Sequence, residues 1–168
     1  HNGKYPFING NNLIMGRVSI TNDTKMVNHF EFLKHQKPLS EKSILMSING
    51  TIGNLAVYEG EQIVLGKSVA YLILKPEIHY KFLYYVLQTQ NVRNIFFDGL
   101  TGSTISNLGL TTIRNTNISI PHIEEQKNIA NVLTDIDSLL NGLELLISKK
   151  SNLKKAIIQK LFTGKMRL

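Results

Sequence analysis

Between Ile129 and Ile147 the apolar residues Ile129, Leu133, Ile136, Leu140, Leu143 and Ile147 follow one another in alternating steps of four and three. That spacing is the a/d seam of a heptad helix, and it excludes a strand or a turn over the stretch it covers. Continued, the register meets Lys150 and Lys154, which interrupt the apolar row, and then Ile157 and Leu161, which restore it. A second row, Val132, Leu139, Leu146 and Leu153, repeats every seven residues and widens the apolar face beyond a two-stranded seam. About forty residues of helix at ~1.5 Å each span roughly 60 Å, longer than a small strand-rich domain needs to cover itself. The seam therefore predicts a helix that buries part of its face against another helix, rather than one folded back on its own domain. Gly142 within it costs ~1 kcal/mol relative to alanine, a cost that fits close approach of a neighbouring helix.

Upstream of Pro121 the pattern changes. Ten of the 12 glycines and all four prolines lie in residues 1–121, and such punctuation predicts short elements joined by many loops. Ser43–Ser47, Leu55–Tyr58, Gln62–Leu65 and Val69–Leu74 are short apolar, partly β-branched runs between Asn/Gly turns and read as strands of a twisted sheet. Tyr80, Leu83, Tyr84, Leu87 and Ile95 recur at helical spacing, so one or two helices are expected between Glu77 and Phe97, with a further short one over Met26–Lys34. The β-branched run Thr111–Ile120 is expected to be a last strand before Pro121, whose fixed φ suits a helix start. The fold class is thus α+β: a mixed globular domain over residues 1–121 with a twisted β-sheet and packed helices, one long coiled-coil-forming helix over 122–163, and a short tail, 164–168.

The charge is divided between these regions. Lys and Arg exceed Asp and Glu by 11 to 7 in residues 1–121 and by 8 to 5 in 122–168, within a net charge of +7. A basic excess of this size favours a polyanionic partner. In the helix, Glu124, Glu125, Asp135, Asp137 and Glu144 precede Lys149, Lys150, Lys154, Lys155, Lys160, Lys165 and Arg167, an order that complements the helix dipole and extends beyond what the last turn requires. The chain has no cysteine, which removes disulfides, thiolate zinc sites and cysteine nucleophiles. Its apolar runs are far shorter than the ~18 residues of a membrane span and its start lacks a signal-peptide pattern, so the expected location is the cytoplasm, without membrane. Opening at His1 and running at once into Lys4-Tyr5-Pro6-Phe7, the sequence reads as starting mid-domain.

Motifs for chemistry are missing. Gly66-Lys67-Ser68 suggests a phosphate loop, but five residues separate Gly60 from Gly66 and the segment that follows reads as a strand, whereas that motif needs four and a helix. His1, His29, His35, His79 and His122 show no metal-ligand spacing. Asp135 and Asp137, two apart on a helix, point in different directions. There is no Asn/Asp-Pro-Pro-aromatic tetrapeptide of adenine methyltransferases and no glycine-rich cofactor motif. What remains is a set of polar loops on a basic domain: Asn9–Asn12, Ser47–Asn54, Gly66–Ser68 and Thr101–Asn107. Their side chains suit hydrogen bonds to phosphates and base edges, and Arg17, Lys67, Arg93 and Arg114 supply charge, although turn chemistry alone accounts for most of these residues singly.

Several segments, taken in order, resemble one family. Tyr5-Pro6-Phe7-Ile8, Ile44–Ala56, Gly99–Asn107, the stretch Ile118-Ser119-Ile120-Pro121 with Glu124-Glu125-Gln126-Lys127-Asn128-Ile129-Ala130, and Lys160–Arg167 resemble the specificity subunit of type I restriction-modification enzymes. The Pro…Glu-Gln…Ile-Ala start of a long helix that ends in Leu-Phe-Thr-Gly-Lys is the specific part. The resemblance implies a target recognition domain followed by a conserved helix. In the full subunit two such domains each read one half of a bipartite DNA site, and their two helices pair as an antiparallel coiled coil. It also implies a subunit without a catalytic centre and with no directly bound cofactor. S-adenosylmethionine, ATP and Mg would belong to its partners, the methyltransferase (modification) subunits and the restriction/translocase subunit.

The chain departs from that pattern in having one domain and one helix. It is expected to be either the distal half of a longer subunit or a short half-subunit, and the latter would pair as a homodimer through the helix and read an inverted repeat. The residues expected to contact double-stranded DNA are Arg17, Asn49, Thr51, Lys67, Ser68 and Thr104. The competing expectation is a helical oligomerisation or adaptor module that does not bind DNA; a small nuclease or methyltransferase suffers from the missing motifs.

Overall fold

A computed structural model describes residues 3–102 and 104–163, and it divides into two units, His1–Lys127 and Asn128–Leu168. Ser103 and the tail 164–168, with the Gly164-Lys165-Met166-Arg167 end of the family-like segment, lie outside the described residues. In chain order the elements are β1 (Tyr5–Ile8), a 3-10 turn (Gly10–Asn12), β2 (Leu13–Ile14), β3 (Arg17–Val18), β4 (Met26–Val27), α1 (His29–His35), β5 (Ile44–Ser47), β6 (Leu55–Val57), β7 (Val64–Leu65), β8 (Val69–Leu72), α2 (Tyr80–Val86), α3 (Gln90–Asp98), β9 (Leu100–Thr101), β10 (Asn107–Leu108), α4 (Leu110–Arg114) and α5 (Ile123–Phe162).

β5 organises the first unit. It is the central strand of an antiparallel sheet ordered β6-β5-β8, and all four of its residues are buried. A strand sends alternate side chains to opposite faces, so a strand covered on both sides reads as an unbroken apolar run, here Ile-Leu-Met. On one face Ile44 and Met46 pack with Leu83, Leu87, Val92 and Phe96 from the α2–α3 region. On the other, Leu45 packs with Ile8, Leu13 and Ile63, and so joins this sheet to the β4-β1-β7 sheet, in which β1 runs antiparallel to β4 and parallel to β7. Each such Leu, Ile or Met contributes about 1.5–3 kcal/mol by leaving water. A charge at position 45 or 46 would break two layers at once.

The expected strands over 43–47, 55–58, 62–65 and 69–74 and the helices between 77 and 97 correspond to β5, β6, β7, β8, α2 and α3. Two expectations are corrected. The helix expected over Met26–Lys34 starts only at His29: Met26 and Val27 pair with β1 instead, and the Asn28 side chain accepts the Glu31 N–H (2.9 Å), a cap that fixes the start. The strand expected over Thr111–Ile120 is absent. Leu110–Arg114 forms α4, after which the Thr116 hydroxyl donates to the Thr112 carbonyl (2.8 Å), and residues 115–122 form no strand. β-branched residues favour a strand only where a partner strand and a half-buried face exist, and this segment has no partner strand. The single twisted sheet is likewise resolved into two three-stranded sheets and two hairpins, β2–β3 and β9–β10.

α5 is forty residues long, with Glu124 and Glu125 in its first turn. In the second unit the seam is exposed at Ile129, Ile136, Leu140, Leu143 and Ile147 and half-buried at Leu133, and the second row, Val132, Leu139, Leu146 and Leu153, is exposed as well. A Cβ at Gly142 would meet nothing within 4 Å. No helix among the described residues is long and apolar enough to cross a membrane.

Candidate nucleic-acid interface

The four polar loops, from sequence positions nearly a hundred residues apart, meet beyond the Ser47 end of β5. The Ile48 N–H donates to the Ser68 carbonyl (2.9 Å), the Leu108 N–H to the Ile48 carbonyl (2.8 Å) and the Gly50 N–H to the Ser106 carbonyl (3.1 Å), while Asn49 and Asn107 pair as an isolated antiparallel bridge. These bonds tie the loop after β5 to the loop before β8 and to the β9–β10 hairpin.

The loop that closes β5 onto β6 is held by its own ends. The Gly53 N–H donates to the Ser47 carbonyl (2.9 Å), and the Asn54 N–H donates to the Ser47 hydroxyl oxygen (2.8 Å). Gly50 lies in the left-handed region (φ 73), where a β-carbon is strained.

The segment around Asn9 joins the same group. Ser68 donates its hydroxyl to Asn9 Oδ1 (3.1 Å) and accepts the Gly10 N–H (3.1 Å), and the Asn54 side-chain amide donates to the Gly10 carbonyl (3.3 Å). Close approach explains the glycines here. A Cβ on Gly10 would come within 2.7 Å of the Ser47 Cβ, and one on Gly66 would collide with Asn9 Oδ1.

Asn49, Thr51, Lys67, Ser68 and Thr104 all belong to this loop cluster. Asn49, Thr51, Lys67 and Thr104 are exposed, whereas Ser68 is half-buried with its hydroxyl committed to Asn9 and Gly10, so its part is to hold two loops together. Arg17 stands apart on β3, exposed and paired with Ile14; its hairpin joins the β6 edge, where the Val57 N–H donates to the Gly16 carbonyl (2.9 Å).

Two hollows flank the loops. One, about 590 Å³, is lined by Ile48, Lys67, Val69 and Tyr71 with Leu110 and Arg114 of α4. The other, about 220 Å³, places Arg93 of α3 beside Gly53 and Asn54. Cations thus border the cluster on both sides, and among the described residues no group of His, Asp and Glu could hold a metal ion.

Three residues that the arrangement depends on figure in the sequence only as loop composition, for Asn9 and Asn54, or as part of the family-like helix start, for Gln126. Asn9 and Asn54 bridge loops through their amides. Gln126 is buried in the first turn of α5, where its side-chain oxygen accepts the His79 N–H (2.8 Å) and its amide donates to the carbonyls of Glu77 (3.0 Å) and Pro121 (2.9 Å). An uncharged amide beside Glu124 and Glu125, one turn before the apolar seam begins, is the sequence signal for the last.

Comparison with known proteins bears on the whole arrangement. The sequence profile of the family described as Type I restriction modification DNA specificity domain matches residues 1–155. The chain is similar to the MjaX specificity subunit of a type I restriction enzyme of Methanocaldococcus jannaschii, 33% identical over 116 residues, covering 67% of this chain and 27% of the relative. It is also similar to a type I specificity subunit of Mycoplasma pneumoniae, 28% identical over 163 residues, covering 96% of this chain and 39% of the relative. Among solved structures, the S subunit of the type I restriction-modification system of M. genitalium shares the fold with a TM-score of 0.59 at 24% identity, covering 96% of this chain and 39% of that one. The chain therefore spans about two fifths or less of the length of these relatives.

Proposed function

The chain belongs to the type I restriction-modification DNA specificity family, and from that premise we propose that it is a recognition module that reads one half of a bipartite DNA site and leaves the chemistry to its partners. The observation that carries this reading is the convergence of four polar loops at one end of β5, bordered by Lys67, Arg93 and Arg114. Phosphates are gathered by the cations, which makes affinity fall with salt through release of counterions. Base edges are met by the exposed Asn49, Thr51 and Thr104, whose short polar side chains match the donors and acceptors of the grooves. Ser68 acts by positioning the loops rather than by touching DNA, and Arg17 adds a phosphate contact outside the cluster.

The exposed faces of α5 take a second helix, either that of another copy or that of a second domain in a longer subunit. Its two apolar rows are wider than one partner needs, which leaves surface for methyltransferase and restriction subunits. S-adenosylmethionine, ATP and Mg are held by those subunits, and this chain binds none of them.

The test starts from methylation-site sequencing of DNA from cells carrying the complete system, which defines the target. With that duplex and the assembled methyltransferase, Asn49→Ala or Thr104→Ala is expected to cost ~1–3 kcal/mol at one position of the site, while Lys67→Ala weakens all sequences alike and lowers the salt slope by about one. Uniform weakening by Asn49→Ala and Thr104→Ala removes them from the reading set. No DNA affinity even with the methyltransferase present would replace this reading with that of a helical adaptor.

A further inference from the structure

The opposite end of β5 carries a different site. Because β5 and β8 are antiparallel, with Ile44 beside Leu72 and Ser47 beside Val69, the segments 40–43 and 74–80 gather at the Ile44 end, away from the loop cluster. With the first turn of α5 they enclose a cavity of about 430 Å³. Three lysines line it: Lys42, Lys75 and Lys127, against one carboxylate among the described lining residues, Glu41. The Lys42 ammonium sits 5.2 Å from the centre of the Tyr80 ring, and its backbone is held in the left-handed region (φ 69), a conformation disfavoured for a side chain with a β-carbon. Lys127 also pairs with Glu124 (2.8 Å).

His79 completes the site. Its ring lines the cavity, while its Nδ1 is shielded from solvent and has no hydrogen-bond partner among the described residues. Burial, and then the charges of Lys81, Lys127 and Lys42, hold its basicity below the ordinary imidazole value. An anion bound among these ammonium groups would offset their charge and favour the protonated imidazole.

We propose that this cavity is a phosphate-binding site, in which Lys42, Lys75 and Lys127 gather one phosphate group with the His79 ring in the wall beside it. A dianion suits three cations and an imidazole better than a single carboxylate does, and the space exceeds one phosphate, leaving room for the rest of a nucleotide beside Tyr80. The site does not rest on the DNA reading of the loops. Its phosphate belongs either to a free ligand or to the backbone of a duplex.

The test is an NMR titration of the His79 Cε1–H in the full chain, with inorganic phosphate or chloride at equal ionic strength, assigned with His79→Gln. Phosphate is expected to raise the apparent pKa of His79, and the double variant Lys42→Gln/Lys75→Gln is expected to abolish the rise while leaving the thermal unfolding midpoint in place. No rise, an equal rise in the double variant, or a response only to a poly-glutamate peptide would overturn the proposal. Once the rise is seen, the affinity for target duplex assigns the source: a sequence-independent loss in the double variant marks a backbone phosphate, and an unchanged affinity marks a free phosphate ligand.

Discussion

Gln126 shows how much one residue can decide. Its amide satisfies the His79 N–H and the carbonyls of Glu77 and Pro121 at once. Gln126→Leu fills a similar volume but leaves these groups without partners, and each such buried group costs about 1–3 kcal/mol. The variant is expected to lose at least 2 kcal/mol of stability in urea unfolding, about the cost of two such groups, whereas Gln126→Glu keeps the acceptor and loses the donor. His79 yields a second outcome at this scale. Its folded-state pKa lies below the ordinary value, so the unfolded chain binds more protons and stability rises with pH across that window. The contribution is complete above the ordinary imidazole value of about 6.5 and is lost as pH falls through it towards the folded value. Denaturant midpoints measured across that window check this, and His79→Gln removes the part that belongs to His79.

At the scale of elements, legibility followed the source of the stabilising energy. α5 was readable because heptad spacing is a property of the chain itself, and β5 because a strand buried on both faces is written as Ile-Leu-Met. The run 111–120 was misread because β propensity depends on a partner strand that the local sequence does not describe. The loop cluster was visible only as composition: which loops meet is decided by backbone bonds such as Ile48 to Ser68 and Leu108 to Ile48, and these carry no side-chain signature. Two predictions belong here. If α5 pairs with the helix of a second copy, Leu140→Asp on the exposed seam abolishes that self-association while leaving the first unit folded, as read by sedimentation and by unfolding of the β-rich unit. Gly142→Ala adds ~1 kcal/mol of helix propensity, and no atom of the described residues lies within 4 Å of the new methyl group. The melting temperature should rise; if self-association is unchanged, close helix approach at this residue is ruled out, and if it weakens, the approach is real.

For the whole molecule, the net charge of +7 shared between the two regions sets the behaviour towards polyanions. Affinity for any duplex should fall linearly with the logarithm of salt concentration, by about 0.9 per phosphate neutralised; a slope near zero in a fluorescence titration would leave the charge without a DNA role. The backbone bonds that stitch the loops together have a further consequence. They do not involve the side chains of Asn49, Thr51, Lys67 or Thr104, so those four positions can be rewritten while the frame beneath them stays shut. On the proposed reading, a substitution at Asn49, Thr51 or Thr104 would change a base contact and one at Lys67 a phosphate contact, with the loops still tied. If those side chains read bases, a new target needs only point substitutions, each made on a frame that stays folded.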